Sequence, residues 1–234
     1  MNKSILIFTA TYNEAENIEN FLKQLEDLML DFDILVIDDN SPDKTWEKIK
    51  NYALNKKNIK LIIRKDKEGL DTAHKLAFKY SRDNNYDYLV TLDADLTHDP
   101  KKIPEIINEL ESNYFVIGSR YMEGGKTDMK GVKLFLSYFG NKFIKFMFNI
   151  DCSEFTSSLR GFNLKKLDNF DLASVSSKGY SFFMETIFQI NKQGIKIKQI
   201  PIHARQRDKG KSKIARIELL RTLLNVLRLK FRKN

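Results

Sequence analysis

A mostly parallel α/β sheet with helices on both faces is the fold that this 234-residue sequence predicts, and three observations predict it. Short, β-branched apolar runs alternate with longer segments of helical periodicity through the first half of the chain. That alternation leaves successive strands parallel and joined by crossover helices that cover the sheet. Three of the runs end in polar tips, Thr11-Tyr12-Asn13-Glu14, Asp38-Asp39 and Asp93-Ala94-Asp95, as expected where the carboxyl ends of strands open onto a ligand crevice. With 42% hydrophobic residues, the chain can bury one domain-sized core.

In order, residues 4–9 read as the first strand. A helix over 14–29 follows, with Ile18, Phe21, Leu22, Leu25, Leu28 and Met29 on its apolar side; Thr11 or Asn13 can cap it, and Glu14 and Glu16 suit its positive end. Strand 33–38 ends in Asp38-Asp39 and the turn Asn40-Ser41-Pro42-Asp43. Helix 45–56, strand 59–64 and helix 70–84 continue the alternation. The run 88–92 delivers Asp93 and Asp95 before Pro100 breaks the chain, and helix 103–111 and strand 114–119 lead to Arg120-Tyr121. From Glu123-Gly124-Gly125 the character changes. A helix over 133–150 interleaves Leu134, Phe135, Leu136, Phe139, Phe143 and Phe146 with Lys133, Lys142 and Lys145, a composition that suits a core helix and a membrane-surface helix equally. Helix 181–192 and strand 195–202 precede a basic, glycine-containing loop over 205–213. In the last helix, 214–232, Ile217, Leu220, Leu224, Leu227 and Phe231 alternate with Arg216, Arg221, Arg228, Lys230 and Arg232, which suits an anionic bilayer or a partner surface.

The formal charge of +9 favours anionic partners. The basic residues lie on amphipathic helices and a glycine loop without a recognisable nucleic-acid motif, so nucleic acid is not the expected one. A lone cysteine, Cys152, excludes an internal disulfide framework and fits a reducing compartment, the cytoplasm. The N-terminal apolar stretch is too short for a signal peptide, and no run of about 18 apolar residues is present to span a bilayer. A phosphate-binding Walker loop, a dinucleotide fingerprint, zinc-ligand spacing and a nucleophile elbow are all missing, which weakens kinase, dehydrogenase and hydrolase readings.

The acidic tips carry the chemistry. Asp93 and Asp95 offer the hard oxygen ligands that Mg²⁺ or Mn²⁺ prefers, although an isolated Asp-x-Asp also serves as an ordinary acidic strand exit. The carboxylates of the first two tips can accept hydrogen bonds from a base and a ribose, and Tyr12 can pack on the base. Arg120, Lys133, Arg207 and Lys213 are the candidate cations for phosphates. With Gly210 and Ser212 beside them, Arg207 and Lys213 read as a lid. His98 is a minor candidate neighbour of the metal tip; His74 and His203 read as local hydrogen-bonding residues.

The ordered set Thr11-Tyr12-Asn13-Glu14, 38–43, Lys67-Glu68-Gly69-Leu70, 93–100, 117–121, Ser137 with Asn141, Gly179 to Phe182 with Glu185, and 207–213 resembles the family 2 glycosyltransferases of GT-A fold, above all the dolichol-phosphate and polyprenol-phosphate mannosyltransferases. The resemblance implies a Rossmann-like GT-A sheet, a nucleotide-sugar donor, a divalent cation (Mg²⁺ or Mn²⁺) and a polyprenyl-phosphate acceptor at an anionic membrane surface. By position it puts Ala10, Tyr12, Glu14, Ile37, Asp39, Asp93 and Ala94 around the nucleotide and makes Asp95 the metal ligand, with Asp93 and Thr97 beside it. It surrounds the donor diphosphate and acceptor phosphate with Arg120, Lys133, Ser137, Arg207 and Lys213. It divides the chain into a catalytic domain, 1–213, of which 1–122 binds the donor and 123–213 faces the acceptor, and a basic amphipathic helix, 214–234. Ala10, Asp71, Lys133 and Thr97 depart from the family's usual Pro, Gly, Arg and Gln; Lys133 gives up the bidentate fork of an arginine. Family members often continue into transmembrane helices, so this chain is expected to be peripheral on the cytoplasmic face or to use a membrane-anchoring partner subunit. A phosphate monoester is already an anion and needs no strong base; attack opposite the leaving diphosphate would invert the sugar centre. The rival readings are a UDP-sugar donor, a hydroxyl acceptor in envelope or capsule polysaccharide, which would need a carboxylate base, and a catalytically idle docking subunit.

Overall fold

The computed structural model of the chain describes residues 3–206 and 216–231. Nine strands are present among them: β1 (Ile5–Thr11), β2 (Asp33–Asp38), β3 (Ile59–Ile63), β4 (Tyr88–Thr91), β5 (Phe115–Ser119), β6 (Lys126–Thr127), β7 (Arg160–Asn163), β8 (Lys198–Pro201) and β9 (His203–Ala204). The helices are α1 (Ile18–Glu26), α2 (Thr45–Tyr52), α3 (Leu70–Asp83), α4 (Ile103–Ser112), α5 (Gly131–Phe148), α6 (Tyr180–Lys192) and α7 (Arg216–Phe231). Seven strands form one sheet in the order β3-β2-β1-β4-β7-β5-β8, and β6 pairs with β9 in a small ladder. Within the large sheet β7 alone runs against its neighbours, antiparallel to both β4 and β5.

Alternation along the strands sends neighbouring side chains to opposite faces. Ile7, Ile34, Val36, Val90 and Val116 pack with Phe21, Leu22 and Leu25 of α1, Ile49 of α2 and Ile106 and Leu110 of α4. Leu6, Phe8, Leu35, Ile37, Phe115 and Phe162 meet Ala77 and Phe78 of α3, Phe182 and Phe183 of α6, and Val226 and Leu229 of α7. Each fully buried Val, Leu, Ile or Phe among them contributes roughly 1.5–3 kcal/mol. The α4 layer lies directly on β7: a Cβ at Gly161 would fall 2.5 Å from Ile106 Cγ2, so only glycine permits that approach.

The structure departs from the sequence expectation most clearly in two places. The first helix starts at Ile18, and neither Thr11 nor Asn13 caps it. Thr11 ends β1 and donates its hydroxyl to Asp38 Oδ2 at 2.6 Å, Asn13 turns the chain at φ +57°, and the N-cap residue is Asn17, without a side-chain cap bond. Second, β7 was not expected, because Arg-Gly-Phe-Asn offers no apolar run. For α5, whose composition suits both a core and a surface helix, the structure chooses: among its residues only Asn141 and Ile144 are buried, while Phe135, Phe139 and Phe146 are exposed, Phe146 at 82%. The last helix, α7, docks on the body of the fold through Val226 and Leu229, and of the apolar stripe Leu224, Leu227 and Phe231 face outward. No helix among the described residues is long and apolar enough to cross a membrane.

His74, on α3, sits between the rings of Phe8, Phe182 and Phe183. Burial, aided by the charge of Arg160, pushes its pKa down to about 3. In the unfolded chain the imidazole takes its proton near pH 6.5, so below that pH the unfolded state binds more protons and is favoured. This stability is complete above pH 6.5 and is lost toward pH 3, by up to about 1.4 kcal/mol per pH unit. Urea unfolding at pH 7, 6 and 5 should show that fall, and His74→Leu should make it shallower. An unchanged slope in the variant would clear His74 of the effect.

Candidate active site

Parallel pairing of β1 with β2 and β4 brings the carboxyl ends of these strands to one edge of the sheet, where the three polar tips meet. The first two tips are braced by their own hydroxyls and amides. Asp38, fully buried, accepts from Thr11 and from the Ser41 amide and hydroxyl. The Asn13 amide donates to Ser41 Oγ and the Glu14 amide to Thr45 Oγ1, and the buried Glu14 carboxylate accepts from Asn17 at 2.9 Å. Asp39 pairs with the buried Arg64 and accepts the Gly69 amide at 3.0 Å. It thereby fastens the 64–69 loop over the tip, where Lys67 Nζ stands 3.8 Å from the centre of the Tyr12 ring. Ala10 lies opposite Ile37 in the β1–β2 register. Since the side chain of Ile37 belongs to the core, only its backbone is left to offer a ligand.

The third tip is the candidate metal centre. Asp95 is buried and its Oδ1 accepts both the Thr97 amide, at 3.1 Å, and the Thr97 hydroxyl, at 2.7 Å. Leu96 between them is held at φ +60°, a strained conformation for a branched side chain. Thr97 therefore orients the carboxylate, while its oxygen keeps lone pairs for a cation. Asp93 is partly buried and Ala94 is packed into the core. Among the described residues no group of three or more His, Cys, Asp or Glu side chains gathers to hold a metal. Two carboxylates on one tip suit a cation that completes its shell with water and phosphate oxygens. His98 is buried between Ser157 and Ser158, 3.4 Å from each hydroxyl. Burial, with the charge of Arg120, pushes its pKa down to about 4, so it is neutral.

Arg120 follows β5. Its Nε and Nη2 donate to the two oxygens of Glu154 at 2.6 and 3.1 Å, and Nη2 also reaches Thr156 Oγ1 at 3.2 Å. Burial alone would raise the Glu154 carboxyl, but the adjacent guanidinium holds it below the usual range. Tyr121 lies with its ring 5.2 Å from the Arg120 guanidinium and donates its hydroxyl to Ser137 Oγ at 2.7 Å. From Arg120 an apolar groove of about 420 Å³ runs along α5, walled by Tyr121, Leu134, Phe135, Tyr138 and Phe139. Lys133 stands exposed on the first turn of α5. Arg207 and Lys213, with Gly210 and Ser212, lie outside the described residues.

The structure thus brings Asp93, Asp95 and Thr97 together on one tip, and joins Arg120 to Ser137 through Tyr121. Sequence reasoning missed Arg64, Tyr121 as a bridge, and Glu154 with Thr156. The last two sit in a polar stretch whose only signal was an acid and a hydroxyl two residues apart.

Over 225 residues, 96% of its own length and 93% of the other, the chain is 30% identical to the undecaprenyl-phosphate mannosyltransferase of Micrococcus luteus. Its structure resembles glucosyl-3-phosphoglycerate synthase from Mycobacterium tuberculosis, solved with Mn²⁺, UDP and glucosyl-3-phosphoglycerate, at TM-score 0.72 and 14% identity, covering 98% of this chain and 80% of that one. It also resembles the mannosyltransferase PcManGT from Pyrobaculum calidifontis, in complex with GDP-Man and Mn²⁺, at TM-score 0.64 and 16% identity, covering 100% of this chain and 66% of that one. These likenesses give the fold as GT-A. The model described as Glycosyl transferase family 2 matches residues 6–170, from within β1 to beyond β7, and the chain belongs to that family.

Proposed function

We propose that this chain is an inverting glycosyltransferase that moves mannose from GDP-mannose onto a polyprenyl phosphate at an anionic membrane surface. The observation that carries this reading is the apolar groove along α5 that has Arg120 among its lining residues: a cationic residue beside a hydrocarbon-lined trough suits a phosphate head on an isoprenoid chain. The name of the Micrococcus luteus relative supports the acceptor and the sugar, and the solved GT-A enzymes with Mn²⁺ support a divalent cation.

In this reading Asp95, with Asp93 and Thr97, would hold Mg²⁺ or Mn²⁺. When bound, the cation would neutralise charge on the departing diphosphate. Tyr12, Glu14 and Asp39, with the backbone of Ala10, Ile37 and Ala94, face the nucleoside. Arg120 and Ser137 bind phosphate oxygens, and Tyr121 orients Ser137 by occupying one of its lone pairs, which turns the Ser137 proton outward. Lys133, Arg207 and Lys213 add cations. The acceptor phosphate attacks as an anion, so no carboxylate base is required. The outward aromatic residues of α5 and the stripe of α7, flanked by Lys142, Lys145, Arg228 and Lys230, suit an anionic lipid surface.

Purified protein offered GDP-mannose, UDP-glucose or UDP-N-acetylglucosamine, with polyprenyl phosphate and Mg²⁺ or Mn²⁺, should form a polyprenyl-linked sugar from GDP-mannose alone and stop on chelation. Product from a UDP-sugar would replace the donor. Nucleotide binding without product from any donor would overturn the acceptor or require a membrane partner.

A further inference from the structure

A fully buried carboxylate behind the phosphate-binding arginine needs an explanation, because its charge opposes the one the site requires. Glu154 is 0% exposed and takes the Nε–Nη2 edge of Arg120 in a two-point ion pair. Its Oε1 is itself held by the Thr156 amide and hydroxyl, at 3.1 and 2.7 Å. The next residue is fixed as well: the Phe155 amide donates to Asn141 Oδ1 of α5 at 2.7 Å, and Asn141 Nδ2 donates to the Ser137 carbonyl at 2.8 Å. The carboxylate is therefore a rigid element tied to the helix that carries Ser137. Glu154 and Thr156 take Nε and Nη2 of Arg120, no described side chain bonds its Nη1, and the arginine side chain keeps 15% exposure, which leaves the Nη1 hydrogens for a ligand.

We propose that Glu154 is the positioning residue of Arg120. It fixes one edge of the guanidinium so that the other meets an anionic oxygen without first giving up rotamer freedom. The inference rests on the reading of Arg120 as a phosphate-binding residue. Its physical signature is the sign of the effect. A carboxylate that merely neutralised Arg120 would weaken anion binding, and removing its charge would tighten that binding. A carboxylate that positions Arg120 does the reverse.

The test is calorimetric titration with pyrophosphate and Mn²⁺ on the full chain, using wild type, Glu154→Gln, Arg120→Ala and the double variant, with melting curves for each. Glu154→Gln should bind about tenfold more weakly, the loss of roughly one charge-assisted contact, and the double variant should bind no more weakly than Arg120→Ala alone. Thr156→Val, which removes one brace of Glu154, should show a smaller loss of the same sign if Glu154→Gln proves too unstable to titrate. Unchanged or tighter binding in Glu154→Gln overturns the proposal. So do equal losses in the presence and absence of Arg120, and so does a wild type that binds no pyrophosphate. Weakened binding in Glu154→Gln beside a wild type that transfers no sugar would remove the transferase reading and leave this one standing.

Discussion

Asp95→Asn should lower kcat about a thousandfold or more, equivalent to roughly 4 kcal/mol of lost transition-state stabilisation, with little change in melting temperature. The fold is expected to survive because both bonds to Asp95 Oδ1 come from donors, the Thr97 amide and hydroxyl, and an amide oxygen can accept the same pair. What the variant loses is the negative charge at the tip, and a neutral amide is a weak partner for a hard divalent cation. The check is kcat at saturating Mn²⁺ beside a thermal melt. Near-native turnover at saturating metal would remove Asp95 from the metal site, and a collapsed melting temperature would reassign it to structure.

Gly125→Ala should be the most damaging single methyl in the neighbourhood of Arg120. A Cβ at Gly125 would lie 2.7 Å from the Arg120 carbonyl carbon and from the Ser119 oxygen, and 2.8 Å from the Arg120 oxygen. All three atoms are backbone, so no rotamer change relieves the contact. The Gly125 amide also closes the turn onto Met122, which limits retreat on the other side. The expected cost is about 1–3 kcal/mol in urea unfolding, and the displaced backbone is that of Arg120, so turnover should fall by more than the loss of folded protein explains. Wild-type stability with wild-type turnover would mean that the 122–125 turn yields freely.

Most of the sheet could be read from the sequence because it follows one rule. β1 to β5 are short apolar runs separated by helices of clear periodicity, and β2, read over 33–38, spans Asp33–Asp38. The acidic tips were legible for the same reason, since the end of an apolar run is easy to place and the residues after it must face the crevice. β7 was not legible because its four residues include an arginine, a glycine and an asparagine; the position is set by packing against α4 and by its two neighbours, which are contacts distant in sequence. The orientation of α5 was open for a related reason. Composition gives an amphipathic or apolar helix, but only the tertiary contacts of Asn141 and Ile144 fix the side that turns inward. Glu154 stayed hidden because a lone acid in a polar stretch carries no period, and its partner Arg120 lies across the fold.

The antiparallel strand has a consequence for synthesis of the chain. β4 ends at Thr91 and β5 at Ser119, but β7, which must slot between them, begins only at Arg160. Until the ribosome has released Asn163, the facing edges of β4 and β5 have no partner, and both strands are fully buried in the finished protein. A nascent chain halted between residues 119 and 160 therefore has one open edge on β4 and, because β8 is made later still, both edges of β5 open as well. That interval is when edge-to-edge association threatens it most and when a chaperone has most to cover.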